Sequence, residues 1–250
     1  VYEGSPTPVT AFFSTVPKVA ALGMMIRFLF DGFGAAINDW QQIIMFLAVL
    51  SMIVGSVAAI SQKNIKRLMA YSSISHIGFA LIGLSLGNTE GLNAVLVYII
   101  VYVIANIGVF AFILCMQKDG VAITDISSLS LYSKINPTGA FLLSVIILSL
   151  AGLPPFVGFL AKLYIFLAAI NSGFAWLAII GGISSVIGAY YYLRIVFLIY
   201  FGEYSCELNS AMSFINLIIL FISGIVMIVG TINLFGIEAI VTPISNSFLP

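Results

Sequence analysis

Seven times in this chain, apolar residues continue for about 20 positions or more, the length that carries a helix across a ~30 Å hydrocarbon core at ~1.5 Å per residue. The stretches run from Pro8 to Phe30, Trp40 to Ile60, Leu68 to Leu86, Leu92 to Met116, Thr138 to Leu167, Phe174 to Tyr200 and Ser213 to Leu234. A soluble core would have to bury all of them, and the rest of the chain cannot cover them. Of 250 residues, 62% are hydrophobic and 7% charged, with a mean hydropathy of +1.19, whereas a soluble domain is about 45–50% apolar and about 25% charged. In lipid the backbone must satisfy its own hydrogen bonds, so apolar spans of this length form helices. The expected fold is all-α: a polytopic membrane helix bundle of about seven transmembrane helices, one membrane domain over residues 1–250, with lipid around it.

Several function classes drop out at once. Lys plus Arg and Asp plus Glu number nine each, for zero net charge, and no basic run suggests nucleic acid. Cys115 and Cys206 stand near the ends of apolar spans without metal-site spacing, so they read as small membrane hydrophobes. No phosphate-cradling glycine loop follows a strand. Neither a metal nor a cofactor is expected in this chain. It opens at Val1 without methionine, basic n-region or cleavage site, which reads as the absence of a signal peptide and as the start of a piece of something longer.

Short connections make sequential helices antiparallel neighbours. The longest, about Gln117 to Pro137, carries Lys118, Asp119, Asp125 and Lys134 and is a loop, not a domain. Lys63, Lys66, Arg67, Lys118 and Lys134 fall on one side, with Arg194 near a helix end there. The other side holds Arg27 beside Asp31, Asp39 and Glu90. That bias predicts the N-terminus inside and the C-terminus outside.

The fifth stretch is longer than one tilted helix requires, and Gly152-Leu153-Pro154-Pro155 sits in its middle. Each proline removes a backbone donor and clashes with the preceding turn, so a continuous helix is not expected. The interruption reads either as a packing kink or as a discontinuous helix of the transporter kind. The lysine that follows it favours the second.

Three ionisable groups lie deep in apolar spans: Lys18, His76 and Lys162. A charge near the bilayer centre costs roughly 2.5–3.5 kcal/mol even on lenient scales, so such groups face a bundle interior or a wet cavity. Lysine suits proton handling because desolvation disfavours the ammonium and brings its loss of a proton toward physiological pH. The alternative for Lys18 and Lys162 is snorkelling to an interface. His76 closes the run Tyr71-Ser72-Ser73-Ile74-Ser75-His76 and reads as a proton relay or, with the serines, as interhelical glue. Asn106 reads as glue. Lys66, with Lys63 and Arg67, marks topology or the entry end of a proton wire. Tyr190, Tyr191 and Tyr192 beside Arg194 read as an interfacial aromatic anchor.

These residues also carry a family resemblance. YEGSPTPVTAFFSTVPKVAALG from Tyr2 to Gly23, NIKRLMAYSSISHIGF from Asn64 to Phe79 and LAGLPPFVGFLAKLYIF from Leu150 to Phe166 resemble the antiporter-like membrane subunits of NADH:quinone oxidoreductase, respiratory complex I. The resemblance implies an antiporter-like fold of two inverted repeats, each with a discontinuous helix, of which this chain is similar to helices eight to fourteen. It places the second broken helix at Gly152, Pro154 and Pro155. It implies a proton pathway through Lys18, the connecting lysine of helix eight; Lys162, the ionisable residue of helix twelve; and Lys66 and His76 at the start of helix ten. The helix-five glutamate and helix-seven lysine of the family would precede Val1. A lysine after the GLPP run points away from the M-type subunit, and an end soon after the seventh span points away from the L-type subunit with its long lateral helix.

The implied function is proton translocation in the membrane arm, coupled to quinone reduction. Flavin, iron–sulfur clusters and quinone would belong to other subunits. The implied partners are a neighbouring antiporter-like subunit, small membrane subunits and the segment or separate chain that supplies the N-terminal helices. The membrane would be the mitochondrial inner membrane or the bacterial plasma membrane. Two other functions share these features: a multisubunit cation/proton antiporter not driven by electron flow, and a non-conducting structural subunit of the membrane arm.

Overall fold

A computed structural model describes residues 2–203, 208 and 212–248. Within these residues the chain forms an all-α membrane bundle. Its long helices are α1 (Thr7–Arg27), α2 (Ile37–Ile60), α3 (Ile65–Ser85) and α4 (Thr89–Ile113). A short α5 (Tyr132–Ile135) follows, then α6 (Pro137–Ala151), α7 (Val157–Asn171), α8 (Ala175–Phe201), α9 (Phe214–Asn233) and α10 (Ile237–Asn246).

The helix starts are written locally. Asn64, Asn88 and Asn136 each stand at an N-cap, where the side-chain oxygen accepts from first-turn amides: Lys66 and Arg67 N in α3, Gly91 N in α4 and Gly139 N in α6. These caps satisfy donors that a helix start leaves open.

Among the described residues, six helices are long and apolar enough to cross a membrane: those within Thr7–Gly32, Gly34–Ile60, Ile65–Ser85, Thr89–Ile113, Ala175–Phe201 and Phe214–Ile232. α6 and α7 have 15 residues each, about 22 Å of helix apiece, short of a full crossing. Together they supply the length of one more passage. The interruption is therefore a discontinuous helix, with a cis peptide bond between Pro154 and Pro155.

α3 and α4 form the centre and are buried nearly all round. α4 touches α1, α3, α6, α7, α9 and α10, while α2 lies along α3. Gly55 of α2 lies so close to the Ser75 backbone that any side chain there would collide. The outer helices present large apolar residues outward, such as Phe12 and Met24 on α1, Phe46 on α2, Val186 on α8 and Ile215 on α9. Apolar exposure on this scale fits lipid or further membrane helices.

The long loop pins the start of α3. Two-residue strands β1 (Gln117–Lys118) and β2 (Val121–Ala122) make a hairpin. Beyond it, Thr124 O accepts from Ile65 N at 2.8 Å and Ile126 N donates to Lys63 O at 2.8 Å. Cys115 Sγ accepts from Asn216 Nδ2 at 3.2 Å; Cys206 lies outside the described residues.

The sequence reading missed α10. This helix is short and one-sided, with Val241 and Ser245 buried and Ile240 and Ile244 exposed, so no run of 20 apolar residues announces it. It lies against α4, where Ser245 Oγ bonds Asn93 Oδ1 at 2.6 Å. Glu238 in its first turn accepts from the Tyr164 hydroxyl of α7.

Candidate functional site

The break in the α6–α7 passage creates its own ligand. In an unbroken helix the carbonyls of Leu150 and Ala151 would accept from the amides of residues 154 and 155. Both are prolines and have no N–H, so two carbonyls are freed in the bundle interior. Lys162, in the second turn of α7, reaches back to them: Nζ donates to Leu150 O at 3.1 Å and Ala151 O at 2.9 Å. A third bond goes to Ser185 Oγ of α8 at 2.9 Å. Three acceptors match the three donors of an ammonium. The group also sits at the negative end of the α6 dipole and 5.0 Å from the centroid of the Phe79 ring.

Gly152 makes this approach possible. It ends α6 with φ +79, a left-handed cap that L side chains avoid, and a Cβ there would press on the Lys162 side chain, 2.9 Å from Nζ. Gly158 N donates to Ser149 Oγ at 3.0 Å, tying the first turn of α7 to the last turn of α6.

His76 lies on α3 beside this passage and is 5% exposed. Its Nδ1 is 2.6 Å from the Tyr98 hydroxyl of α4 and its Nε2 is 3.1 Å from the Tyr192 hydroxyl of α8. Tyr192 also bonds Ser72 Oγ, one helical turn before His76. A hydroxyl both donates and accepts, so this pair of tyrosines can serve either tautomer of the imidazole.

The reading of Tyr190 to Tyr192 as an interfacial anchor is therefore corrected. Tyr191 and Tyr192 are buried, and only Tyr190 faces outward. Three consecutive helical residues point about 100° apart and cannot all face one interface.

Lys18 is placed differently. Pro17 beside it leaves Phe13 O without its helical donor, and the Tyr2 hydroxyl donates to that oxygen at 3.0 Å. The Tyr2 ring stands under Lys18 Nζ, 5.4 Å from ring centroid to nitrogen. Nζ itself is buried with no hydrogen-bond partner among the described residues. Leaving a buried polar group unpaired costs about 1–3 kcal/mol, more when it is charged.

The structure brings Lys18, His76 and Lys162 into one neighbourhood: the imidazole lies within electrostatic reach of both lysines. His76 and Lys162 border the same small cavity, about 10 Å³, with Tyr98, Tyr102 and Ser149. Lys66 stays apart. Its Nζ donates to Ser5 O at 2.8 Å, and ten residues separate it from His76, about 15 Å along α3. Beside it Arg67 pairs with Glu3 at 3.5 Å, half exposed, an ion pair of little energetic weight. Asn106 donates to Ser14 O at 3.1 Å and Ser14 Oγ at 2.9 Å, joining α4 to α1. Among the described residues no three His, Cys, Asp or Glu side chains converge as a metal cage would require.

Sequence reasoning missed Tyr98, Tyr192 and Ser185. Each sits on a different helix from the residue it bonds, the next one in the chain for Tyr98 and Ser185 and a distant one for Tyr192, and only its polarity inside an apolar span signalled it.

Residues 1–188 match the family model described as "NADH:quinone oxidoreductase/Mrp antiporter, TM". NADH-quinone oxidoreductase subunit N of Jannaschia sp. (strain CCS1) is 53% identical over 243 residues, 96% of this chain and 50% of the relative. Subunit N of Rhodobacter capsulatus is 49% identical over 238 residues, 95% of this chain and 50% of the relative. A chain of the structure titled "Respiratory complex I from Thermus thermophilus with bound Aureothin" superposes with a TM-score of 0.81 at 28% identity, covering 97% of this chain and 52% of that one. The chain spans about half the length of the curated relatives it matches. With its broken helix, its buried lysines and this match over most of its length, the chain belongs to the NADH:quinone oxidoreductase/Mrp antiporter transmembrane family.

Proposed function

We propose that this chain works as the C-terminal half of subunit N of a bacterial NADH:quinone oxidoreductase, in the plasma membrane, and carries protons through Lys18, His76 and Lys162. The observation that supports this most is Lys162: a buried amine held by two carbonyls freed at the helix break and by a serine hydroxyl, with no carboxylate bonded to it among the described residues. A structural ion pair would hold its charge permanently. Dipoles and a hydroxyl rotor hold it only while the surrounding field favours it, because Ser185 can turn from acceptor to donor when the nitrogen becomes an amine.

In this reading a positive charge arriving near Lys162 drives its proton off, and withdrawal of that charge lets it return. His76 keeps both ring nitrogens on tyrosine hydroxyls and passes protons between the lysines. Lys66, at the end that the basic residues assign to the inside, is the entry. The outward apolar faces of α1 and α2 receive the helices that complete the subunit, and a neighbouring antiporter-like subunit and small membrane subunits pack beyond. Flavin, iron–sulfur clusters and quinone reside in other subunits and supply the driving reaction.

The test is Lys162→Arg in the assembled complex, read as quinone-coupled proton uptake by inverted membrane vesicles, with assembly checked on native gels. Arginine keeps the positive charge and is effectively never deprotonated. Proton uptake should fall as far as in Lys162→Ala. Near-normal uptake by the arginine variant would rule out proton release at Lys162.

A further inference from the structure

α1 and α10 each pack on α4. Between them, at the end of the bundle that the basic residues assign to the outside, runs a groove of about 710 Å³, a volume within the roughly 300–1,000 Å³ of ligand clefts. Met24 and Phe28 line it from one side, Ile244 and Phe248 from the other, and Leu96 of α4 lies between them. Two charges interrupt this apolar lining: Arg27, the last residue of α1, and Asp31, in the wide turn that follows it. Both are exposed, and neither forms an ion pair with the other or with any other described residue. Phe28 also borders a second apolar groove, of about 350 Å³, with Leu29, Phe33 and Trp40, and Asp39 stands in its lining. Two apolar grooves that share a wall thus carry one guanidinium and two carboxylates.

We propose that one zwitterionic phospholipid with a primary ammonium headgroup occupies these grooves, its phosphate on Arg27, its ammonium on Asp31, one acyl chain between α1 and α10 and the other against Phe33 and Trp40. The charges select the headgroup. A guanidinium binds phosphate oxygens through paired N–H donors. A carboxylate accepts from a primary ammonium, whereas a choline headgroup has no N–H to give. An anionic lipid would bring its charge to one cation and two carboxylates, while a zwitterion answers both signs. The apolar walls select the chains: Met24 and Phe28 are 71% and 56% exposed, area that acyl chains cover. Arg27 closes an apolar span, the level at which headgroups lie. Gly23 leaves room on α1, since a Cβ there meets nothing within 4 Å. The lipid fastens α10 to α1 across the gap between them. Arg27 follows Lys18 by nine residues, about 13 Å along α1, so the lipid site and the proton carriers can be tested apart.

The test is photolabelling in native membrane vesicles, which hold the whole protein with its partners. The vesicles are fused with liposomes carrying either phosphatidylethanolamine with a diazirine in its acyl chain or phosphatidylglycerol with the same chain, and cross-linked peptides are read by mass spectrometry. In the wild type the ethanolamine probe should label α1 and α10 about threefold to fivefold more than the glycerol probe, the scale of an exposed ion pair. Arg27→Gln should lower labelling by both probes. Asp31→Asn should remove the preference and leave labelling by the glycerol probe intact. Gly23→Leu favours the helix and fills the groove without touching either charge, so it should lower both. Equal labelling by the two probes that no variant changes would mean bulk lipid only and overturns the proposal. A preference that survives both charge variants overturns the headgroup assignment. Absence of label in the wild type would mean that another protein segment covers the groove, and overturns it too. Should a variant fail to assemble, a high-resolution structure of the wild-type protein in its native complex decides: headgroup density between Arg27 and Asp31 supports the site, and a protein helix or no ordered lipid there sinks it.

Discussion

Lys162 and Lys18 both follow prolines in apolar helices, yet the protein surrounds them in opposite ways. At Lys162 two prolines free two carbonyls and the lysine takes both, with Ser185 as a third acceptor. At Lys18 a single proline frees one carbonyl and a tyrosine takes it, leaving the lysine with an aromatic face and no hydrogen bond among the described residues. A helix break is therefore not in itself a cation site. It becomes one when the freed acceptors point at the amine, and here that depends on Gly152 turning the chain and leaving room for the side chain. One amine is held by fixed partners and the other is loosely held, an arrangement that suits a proton passing from the second to the first.

The comparison is broken most severely at Lys162. Lys162→Ala removes the buried amine and strands two buried carbonyls, at about 1–3 kcal/mol each. Proton uptake in vesicles should fall by about tenfold or more, and the solubilised complex should melt at lower temperature. Full uptake with an unchanged melting temperature would mean that the three bonds carry neither function nor stability. Gly152→Val comes next. A β-branched side chain at φ +79 stores about 1–3 kcal/mol of strain and displaces Lys162 from its carbonyls. Assembly on native gels should decrease, and uptake should fall toward that of Lys162→Ala. Wild-type assembly and uptake together would show that the left-handed cap is dispensable.

The break and the lysine after it were legible in the sequence because both rest on strong local physics: proline has no amide proton, and a charge inside an apolar span is expensive. The six long helices follow from apolar length alone, and the seventh passage from the prolines that divide it. The shell around the site was not legible in the same way. Ser185 meets Lys162 across 23 positions and Tyr192 meets His76 across 116, and only packing decides which hydroxyl of a membrane helix turns inward. Tyr191 and Tyr192 looked interfacial because tyrosines favour membrane surfaces, a preference that the facing of α8 overrides. α10 escaped because ten amphipathic residues weigh little against spans twice that length.

Lys18→Met sharpens the contrast, since it should separate function from stability where Lys162→Ala joins them. Methionine fills the volume of the lysine stem and removes an amine that forms no hydrogen bond to the described residues. Proton uptake should drop severalfold while thermal stability holds or rises, up to about 1–3 kcal/mol where an unpaired buried group is relieved. Marked unfolding of the Lys18→Met complex, measured by its melting curve, would show that groups outside the described residues grip Lys18 as firmly as Leu150, Ala151 and Ser185 grip Lys162.

The smallest expected effect falls on Ser185. Its hydroxyl accepts from Lys162 and lies 3.4 Å from Ala151 O, so one rotation decides which neighbour it serves. Ser185→Ala leaves the ammonium two acceptors of three, a loss of about 1 kcal/mol, and should lower proton uptake by about fivefold. It also removes the one partner that can donate to Lys162 as an amine, which the two carbonyls cannot do. Hydrogen bonds to the ammonium are the stronger of the two, so the variant should slow uptake of the proton more than its release, and Ser185→Thr, which restores a hydroxyl, should recover most of the rate. Single-turnover proton uptake and release in vesicles resolves the two phases. Equal slowing of both would leave Ser185 as a packing contact and make the carbonyls alone responsible for holding Lys162.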